Sequence, residues 1–415
     1  MKTKLSFLVL AVILIFSCQN SDKGIRSKRK NIPISSVYKK GEYGYDLEFL
    51  KKHLNPIELA NNDSRLVIEP EYQGRVMTSS SMGLKGFSYG WINYDLIASS
   101  KILDHINPYG GEEKIWLGPE CGQFGIFFKK GAPFNLANWF VPAVFDHDPF
   151  KVENSDDKSI VLSRKVNLEN YSGTIFNAEI TRKVTLLSHD KINEYLGIKV
   201  DSSIHVVAYQ SENRLKNIGN YCWNKEGGTL SIWMLSELNS SPEVTVVLPF
   251  KKGEWGRIVK DDYFGKIPEN RLKVSENAIF FLADGKFRSK IGISPQRAVS
   301  MIGSYDAKNN FLTLIEFSLP EKNFEYVNSA LEIQKKPFNG DAINSYNDGP
   351  TDNGSQQGSF YELEISSPAA FLKPGEDIIH IQRTYHLKGN VKTLDELTKS
   401  LLNVSIDEIK KSFEN

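Results

Sequence analysis

The sequence has few of the residues that build disulfide scaffolds or metal centres. It contains three cysteines and seven histidines among 415 residues, and neither a CxxC nor an HExxH spacing occurs. Disulfide-dense folds and common zinc or haem sites need such residues in larger numbers or at such spacings. We therefore expect no metal and no other cofactor. Cys121 and Cys222 can pair in an oxidising compartment, and the sequence leaves that question open.

An excess of one charge is also missing. The chain has 51 lysines and arginines against 50 aspartates and glutamates. Nucleic-acid binders concentrate basic charge, so we expect no nucleic-acid partner. Aromatic residues are abundant instead, with 6 Trp, 17 Tyr and 24 Phe. Such a supply is typical of a large β core and equally of surfaces that stack on sugar rings.

Long apolar runs are absent except near the N-terminus. Lys2 and Lys4 precede residues 5–16, LSFLVLAVILIF, which are too few to span a bilayer as a helix and are typical of a signal peptide. The IFSC that follows resembles the lipobox of bacterial lipoproteins and ends at Cys18. This resemblance implies a lipoprotein signal peptide at 1–17 and lipidation of Cys18. The membrane contact would then be the lipid alone, in the bacterial cell envelope and at the outer membrane. Ordinary signal cleavage and a soluble periplasmic protein remain the alternative.

Composition divides the rest of the chain into three parts. Residues 18–44 are polar and basic, as in a flexible tether. Residues 45–390 form the main domain, which begins with a short amphipathic helix predicted over YDLEFLKKHL. Residues 391–415 are predicted to be a helical tail, with capping-box patterns at Thr393 and Ser405.

The main domain shows the period-two alternation of β-strands, separated by turn residues. Many strands with few helices between them predict an antiparallel all-β sandwich and not a βαβ fold. The alternating segments are SRLVIEPEYQGRVMTSS, SIVLSRKVNL, FNAEITRKVTLL, NEYLGIKVDSS, PEVTVVLPF and NNFLTLIEFSL.

Three segments of the main domain are similar to motifs of one superfamily. They are EPEYQGRVMTSS at 69–80, GGEEKIWLGPECGQFG at 110–125 and FYELEISSPAAFLKPGE at 360–376. Together they resemble the galactose mutarotase-like superfamily, which includes the aldose 1-epimerases. DYFGKIPENRL and ADGKFRSKIGI further resemble an uncharacterised group of envelope lipoproteins within it. The resemblance implies a large antiparallel β-supersandwich that binds a saccharide on its concave face.

Two glutamates in the last of these segments are spaced two apart. On a strand this spacing directs Glu362 and Glu364 to one face, and Tyr361, Leu363 and Ile365 to the other. Burying two carboxylates in a dry interior is costly, so their face is either exposed to solvent or lines a wet pocket. The resemblance implies that Glu364 or Glu362 is a catalytic base toward the anomeric hydroxyl of a sugar. The spacing to Pro368 favours Glu364, and Glu362 is then a candidate for binding the substrate.

The motifs do not identify a histidine as the catalytic partner of this base. Tyr109 and Tyr221 stand where the epimerase motifs have histidines. His147, in FDHDPF, and Glu120 are the candidates for a second acid or base. A surface-loop histidine remains the alternative for His147.

Five further side chains are candidates for binding the substrate: Arg75, Trp116, Asp284, Arg288 and Lys290. Arg75 follows a glycine on an early strand, and Trp116 offers a flat apolar face for a pyranose ring. After a turn at Asp284, Arg288 and Lys290 lie on one face of the next strand, where two cations can hold a uronate or vicinal hydroxyls. The alternatives are a core tryptophan and an exposed hairpin with salt bridges.

These features predict a lipid-anchored envelope protein whose ligand is a saccharide. Three activities stay open: an aldose 1-epimerase-like isomerase, a polysaccharide lyase or hydrolase, and a non-catalytic sugar-binding lipoprotein. An envelope scaffold that binds a partner protein is a fourth alternative.

Overall fold

The computed structural model describes residues 37–254, 256–322, 324–351 and 354–414. The predicted signal peptide, Cys18 and most of the predicted tether lie outside the described residues. Across those four ranges, no helix has the length and apolar character needed to cross a bilayer.

The prediction of an all-β antiparallel fold is confirmed, and the described residues form eighteen strands. The strands are β1 (Ile57–Asn61), β2 (Ser64–Glu69), β3 (Arg75–Ser80), β4 (Lys114–Gly118), β5 (Lys151–Ser155), β6 (Ser159–Glu169), β7 (Ile175–Leu186), β8 (His205–Asn217), β9 (Ser231–Asn239), β10 (Val244–Pro249), β11 (Leu272–Val274), β12 (Ala278–Leu282), β13 (Ser289–Ile293), β14 (Met301–Asp306), β15 (Phe311–Phe317), β16 (Ile343–Asn347), β17 (Phe360–Ser366) and β18 (Asp377–Lys388).

These strands pair into three sheets. A three-stranded sheet has the order β1-β2-β3, and a five-stranded sheet has the order β13-β16-β17-β9-β4. The largest sheet has ten strands in the order β11-β12-β10-β14-β15-β18-β8-β7-β6-β5. The main hydrophobic core lies between the five-stranded and ten-stranded sheets, since both contribute buried side chains to it.

Strand β17 shows how the two faces of the five-stranded sheet differ. Tyr361, Leu363 and Ile365 are buried in the main core, and the Tyr361 hydroxyl lies 2.7 Å from the Ser304 hydroxyl of the ten-stranded sheet. The predicted alternation is therefore confirmed on this side. The opposite face points away from the ten-stranded sheet, and we call it the outer face.

Six α-helices occur in the described part of the chain, and the expected N-terminal and C-terminal helices are among them. They are α1 (Tyr43–His53), α2 (Tyr94–Ser99), α3 (Ala143–Asp146), α4 (His189–Leu196), α5 (Val391–Leu402) and α6 (Ile406–Lys411).

The prediction of a strand over NEYLGIKVDSS was wrong, because α4 covers its beginning and no strand follows until β8. The Ser188 side chain caps this helix by accepting a hydrogen bond from the Lys191 backbone N–H. Ile192 and Leu196 lie one turn apart and are both buried, and Gly197 ends the helix with a φ of 66°. The capping serine, the apolar spacing and the terminal glycine are helix signals that outweigh the β-branched residues.

The two C-terminal helices were predicted with different accuracy. The capping box at Ser405 is confirmed, since Ser405 and Glu408 satisfy each other's backbone N–H groups. The first helix, however, is capped by Asn390, three residues before the predicted capping residue Thr393, because the Asn390 side chain accepts a hydrogen bond from the Thr393 backbone N–H at 3.0 Å. Apolar residues of both helices pack on the side of the ten-stranded sheet that faces away from the main core.

Long connections cover the outer face of the five-stranded sheet. Residues 119–150 join β4 to β5, residues 250–271 join β10 to β11, and residues 318–342 join β15 to β16. All three contribute side chains to one cavity above that face. The fold therefore places three of its long connections where a ligand can enter.

Candidate functional site

A cavity of about 610 Å³ lies between the outer face and these connections. Its volume is within the range of about 300–1,000 Å³ that is usual for small-molecule sites. Residues that share a face by cross-strand pairing form its floor. Gly118 pairs with Ser231, and Ser366 pairs with Trp233, which brings strands β4, β9 and β17 together under the cavity.

Aromatic rings and neutral polar groups both line the cavity. The five aromatic side chains are Phe128, Trp139, Trp233, Tyr263 and Phe264. Amides and hydroxyls line it as well, including those of Asn135, Ser231, Asn328, Ser329, Asn339, Asn344 and Ser366. The wall thus offers flat apolar surfaces beside many hydrogen-bond donors and acceptors.

Glu364 lies directly behind the cavity floor. Its Oε2 accepts hydrogen bonds from Lys290 Nζ at 2.8 Å and from Trp233 Nε1 at 3.0 Å, and both of these residues line the cavity. The Glu364 side chain is itself fully buried, and its Oε1 has no hydrogen-bond partner among the described residues. Burial alone would lower the pKa of Lys290, but the charges of Glu364 and Glu120 outweigh it and raise that pKa. The lysine therefore keeps its positive charge.

Glu120 is a carboxyl group in the cavity itself. Its Oε1 accepts a hydrogen bond from Trp139 Nε1 at 2.7 Å. Burial raises the pKa of Glu120, while the positive charge of Lys290 and the hydrogen bond from Trp139 oppose this effect. A raised pKa makes a carboxyl a better general base than an ordinary glutamate, because proton transfer is most efficient when the pKa lies closer to the operating pH.

Asp341 is a second carboxyl group in the cavity, and the sequence analysis missed it. The Tyr263 hydroxyl donates a hydrogen bond to Asp341 Oδ2 and accepts one from Asn344 Nδ2 at 3.1 Å. Burial raises the pKa of Asp341, although neighbouring cations oppose this. Tyr263 belongs to the DYFGKIPENRL segment, which was noticed only as a resemblance. Asp341, in FNGDAINSY, stands in no pattern that would have revealed it.

Glu362 continues the row of charges beyond the cavity. Lys114 Nζ lies 3.6 Å from Glu362 Oε1 and also forms an ion pair with Glu237. Burial raises the pKa of Glu362 well above its usual value; Lys114 counteracts this, and the carboxylate of Glu364 adds to it. Glu362 and Glu364 thus share the outer face as expected, Glu364 paired with Lys290 and Glu362 sharing Lys114 with Glu237.

A sequence profile described as "Family of unknown function (DUF6786)" matches residues 41–413. The chain belongs to this family. No curated protein matches the chain.

Structural neighbours are galactose mutarotase-like and aldose 1-epimerase-like proteins of low sequence identity. The chain is similar to the Slr1438 protein from Synechocystis sp. PCC 6803, at 12% identity and a TM-score of 0.49, over 81% of this chain and 96% of that one. It is similar to a putative aldose 1-epimerase from Escherichia coli K12, at 10% identity and a TM-score of 0.47, over 81% and 99%. It is also similar to a galactose mutarotase-like protein from Lactobacillus casei ATCC 334, at 11% identity and a TM-score of 0.44, over 80% and 100%.

In this DUF6786 chain, the cavity contains three of the residues singled out from the sequence. Glu120, Arg288 and Lys290 line it, and Glu364 supports it from behind. The three come from a loop after β4, from the residue before β13 and from β13 itself. The structure therefore unites segments that are far apart in sequence.

Two other sequence candidates lie away from the cavity lining. Trp116 is buried, and its ring packs edge-to-face against Trp233 with centroids 5.6 Å apart. Arg75 is buried elsewhere, where its guanidinium donates to the Gly110 carbonyl at 2.7 Å and to Gln73 Oε1 at 3.2 Å. The position of Trp116 corresponds to the core tryptophan that the sequence analysis kept as the alternative.

Asp284 and His147 also lie outside the cavity lining. Asp284 forms an ion pair with Arg271, one of whose nitrogens is 3.2 Å from Asp284 Oδ2. His147 stands at the end of α3, with Nδ1 3.4 Å from Asp146 Oδ2. Asp284 thus pairs with Arg271, and none of the ion pairs among the described residues joins it to Arg288 or Lys290.

The cysteines and other metal-ligand side chains form no centre in the described ranges. Cys121 is buried and Cys222 is exposed, and both are free thiols. No group of three or more His, Cys, Asp and Glu side chains in those ranges is arranged to hold a metal ion.

Proposed function

We propose that this protein binds a saccharide in the cavity on the outer face of the five-stranded sheet. The observation that carries the proposal is the wall of the cavity, where five aromatic rings stand among amides, hydroxyls and charged groups. A pyranose ring has an apolar face of C–H groups and an edge of hydroxyls. Aromatic rings suit the former, and closely spaced donors and acceptors suit the latter.

Exposed apolar side chains at the rim of the cavity favour a ligand larger than one sugar ring. Leu136, Phe264 and Leu331 line the cavity and are 71%, 47% and 51% exposed. Apolar side chains at the mouth of a polar site give a longer glycan additional surface to contact. We therefore propose an oligosaccharide or a substituted sugar as the natural ligand.

Chemical modification of the saccharide is a second proposal, and it rests on Glu120. This carboxyl lines the cavity with a raised pKa, so it is placed to exchange a proton with a ligand hydroxyl. Glu364 is bound to Lys290 and Trp233 behind the floor and acts through them. Polarimetry on freshly dissolved aldoses tests an epimerase-like activity. If the anomers interconvert no faster with the protein than in buffer, the epimerase-like activity is contradicted and the proposal of saccharide binding is unaffected.

Attachment to the bacterial outer membrane through lipidated Cys18 is also a proposal. The lysines, the apolar run and the IFSC motif before this position support it. Mass spectrometry of the native protein would find a diacylglyceryl group on Cys18, and Cys18→Ser would move the protein to the soluble fraction. An unmodified chain in the wild type would contradict the proposal.

The binding proposal is tested by removing one ring from the cavity wall. Wild type is screened on a glycan array, and hits are measured by calorimetry against Trp139→Ala. We expect the substitution to weaken binding by several-fold to about tenfold, since it removes a stacking surface and a donor to Glu120.

The matched control is Trp91→Ala. Trp91 is half-buried outside the cavity lining and packs on Phe360 with ring centroids 4.7 Å apart. This variant should bind as wild type does once thermal unfolding shows that it is folded. If wild type binds no saccharide, or if the two variants lose equal affinity, the proposal is wrong.

A further inference from the structure

We infer that the saccharide carries an anionic group, a carboxylate or a sulfate, and that Arg288 and Lys260 bind it. This inference rests on the proposed function and narrows its ligand class. It replaces the pair of Arg288 and Lys290 expected from the sequence, because the structure shows that Lys290 already has a counter-ion.

Arg288 presents an unneutralised guanidinium to the cavity. Its central carbon lies 3.8 Å from the centroid of the Phe264 ring, so the guanidinium plane is held against an aromatic face. No carboxylate of the described residues comes within 4.0 Å of it, and its hydrogen-bond partner Tyr346 is a neutral phenol. An arginine stacked in this way keeps N–H groups at its edge for a ligand.

Lys260 is the second cation without a carboxylate partner. Its Nζ lies 3.9 Å from the centroid of the Tyr263 ring, and none of the ion pairs found in the described ranges includes it. The backbone of Lys260 pairs with Gly292 in both directions, with N···O distances of 2.8 and 2.9 Å. This pairing fixes the lysine on β13, the strand that begins directly after Arg288. Both cations are therefore held in place before a ligand arrives.

The other cations of the cavity are neutralised. Lys290 forms its ion pair with Glu364 at 2.8 Å, and Arg257 forms one with Asp262 at 3.0 Å. Only Arg288 and Lys260, among the cavity cations that the structure describes, lack a carboxylate within 4.0 Å.

Each of the two cavity carboxyls already has a hydrogen-bond donor within the protein. Glu120 already accepts a hydrogen bond from Trp139, and Asp341 accepts one from Tyr263. Burial raises the pKa of both groups, and the positive charge of Lys260 is among those that oppose this rise for Asp341. A neutral sugar would leave two half-buried cations with no carboxylate within 4.0 Å, whereas a carboxylate or sulfate would contact them directly and match the donor fork of the arginine.

Calorimetry with small probes tests the inference. The probes are D-glucuronate, D-galacturonate and D-glucose 6-sulfate, with D-glucose and D-galactose as neutral references. We expect at least one anionic probe to bind about tenfold or more tighter than its neutral parent. Added salt should reduce this advantage, because the cations are only half-buried. Tighter binding of a uronate identifies the anionic group as a carboxylate, and tighter binding of the sulfated sugar identifies it as a sulfate.

Substitution assigns the effect to the two cations. Arg288→Gln and Lys260→Gln should each reduce the preference for the anion while the affinity for the neutral sugar stays the same, and Arg288→Lys should keep part of the preference. Lys308→Gln changes an exposed cation in the turn between β14 and β15 and should have no effect.

The outcomes separate this inference from the proposed function. If the anionic and neutral probes bind equally, or if the double variant of Arg288→Gln and Lys260→Gln keeps the preference, the inference is overturned and saccharide binding stands. If none of the five probes binds at millimolar concentration while the glycan array shows neutral ligands, the inference is again overturned. If the array shows no ligand, the proposed function fails with it.

Discussion

At the scale of single residues, the charged side chains of the outer face can be buried only because each has a hydrogen-bond or ion-pair partner. Glu364 is fully buried, yet Lys290 and Trp233 donate to the same oxygen of its carboxylate. A buried charge is tolerable only with such partners. The carboxylate therefore holds two cavity-lining side chains in position, whatever chemistry the cavity supports.

We expect Glu364→Gln to lower the free energy of unfolding by about 3 kcal/mol, because it leaves the Lys290 ammonium without its counter-ion. Urea unfolding measures this change. The matched control is Glu194→Gln, which breaks the exposed pair with Lys191 and should leave stability unaltered. Equal stability of Glu364→Gln and wild type would show that the buried pair is not formed.

A buried histidine predicts how stability depends on pH. Burial lowers the pKa of His380 from 6.5 to about 3, because the imidazolium would lose its hydration. Below pH 6.5 the unfolded chain binds a proton here that the folded protein does not bind until about pH 3. The folded state therefore loses up to about 4–5 kcal/mol from this residue as the pH falls through that window.

Replacing this histidine should flatten the acid side of the stability profile. In His380→Gln, the free energy of unfolding should fall less steeply between pH 6.5 and 3 than in wild type, as measured by urea unfolding at each pH. His189→Gln removes an exposed histidine on α4 and should keep the wild-type slope. An identical slope in His380→Gln would contradict the lowered pKa.

At the scale of elements, a buried polar network joins the ten-stranded sheet to the segments that precede β4. Arg182 of β7 is fully buried, and it donates to Glu113 Oε1 at 2.6 Å, to Asn213 Oδ1 at 2.7 Å and to the Gly74 carbonyl at 3.0 Å. Gln382 of β18 donates to the other oxygen of Glu113 at 2.8 Å. The network thus fixes how these elements lie against one another.

We expect Glu113→Gln to destabilise the protein by about 3 kcal/mol, because it leaves the guanidinium of Arg182 buried without a counter-ion. Thermal and urea unfolding measure the effect. Glu153→Gln, on the exposed strand β5, makes the same chemical change at the surface and should be neutral. If both variants unfold alike, the network does not contribute to stability.

Strands and helices differed in how well local pattern predicted them. The alternation in β17 was predictable because successive side chains of a strand point to opposite faces. The segment NEYLGIKVDSS was wrongly predicted as a strand because of its β-branched residues. A capping serine before it stabilises a helix instead. Helix α5 began early because Asn390 competes with Thr393 for the capping position.

At the scale of the whole molecule, the candidate site is assembled from distant segments. Lys290 and Glu364 are 74 residues apart in sequence and still form one ion pair. Tyr263 and Asp341, which share a hydrogen bond, are separated by 78 residues. No short sequence spacing predicts such pairs. Sequence analysis therefore found Lys290 and Glu364 as separate candidates and missed Asp341.

The partners of the charged residues show where local reasoning ended. The amino-acid order alone predicted the all-β class, the shared face of Glu362 and Glu364 and the capping box at Ser405. Each of these features depends on backbone geometry over a few residues. Packing alone decided that Asp284 binds Arg271 and that Lys290 binds Glu364. The partner that a buried charge finds depends on which distant strands meet, and that is set only when the sheets close over their common core.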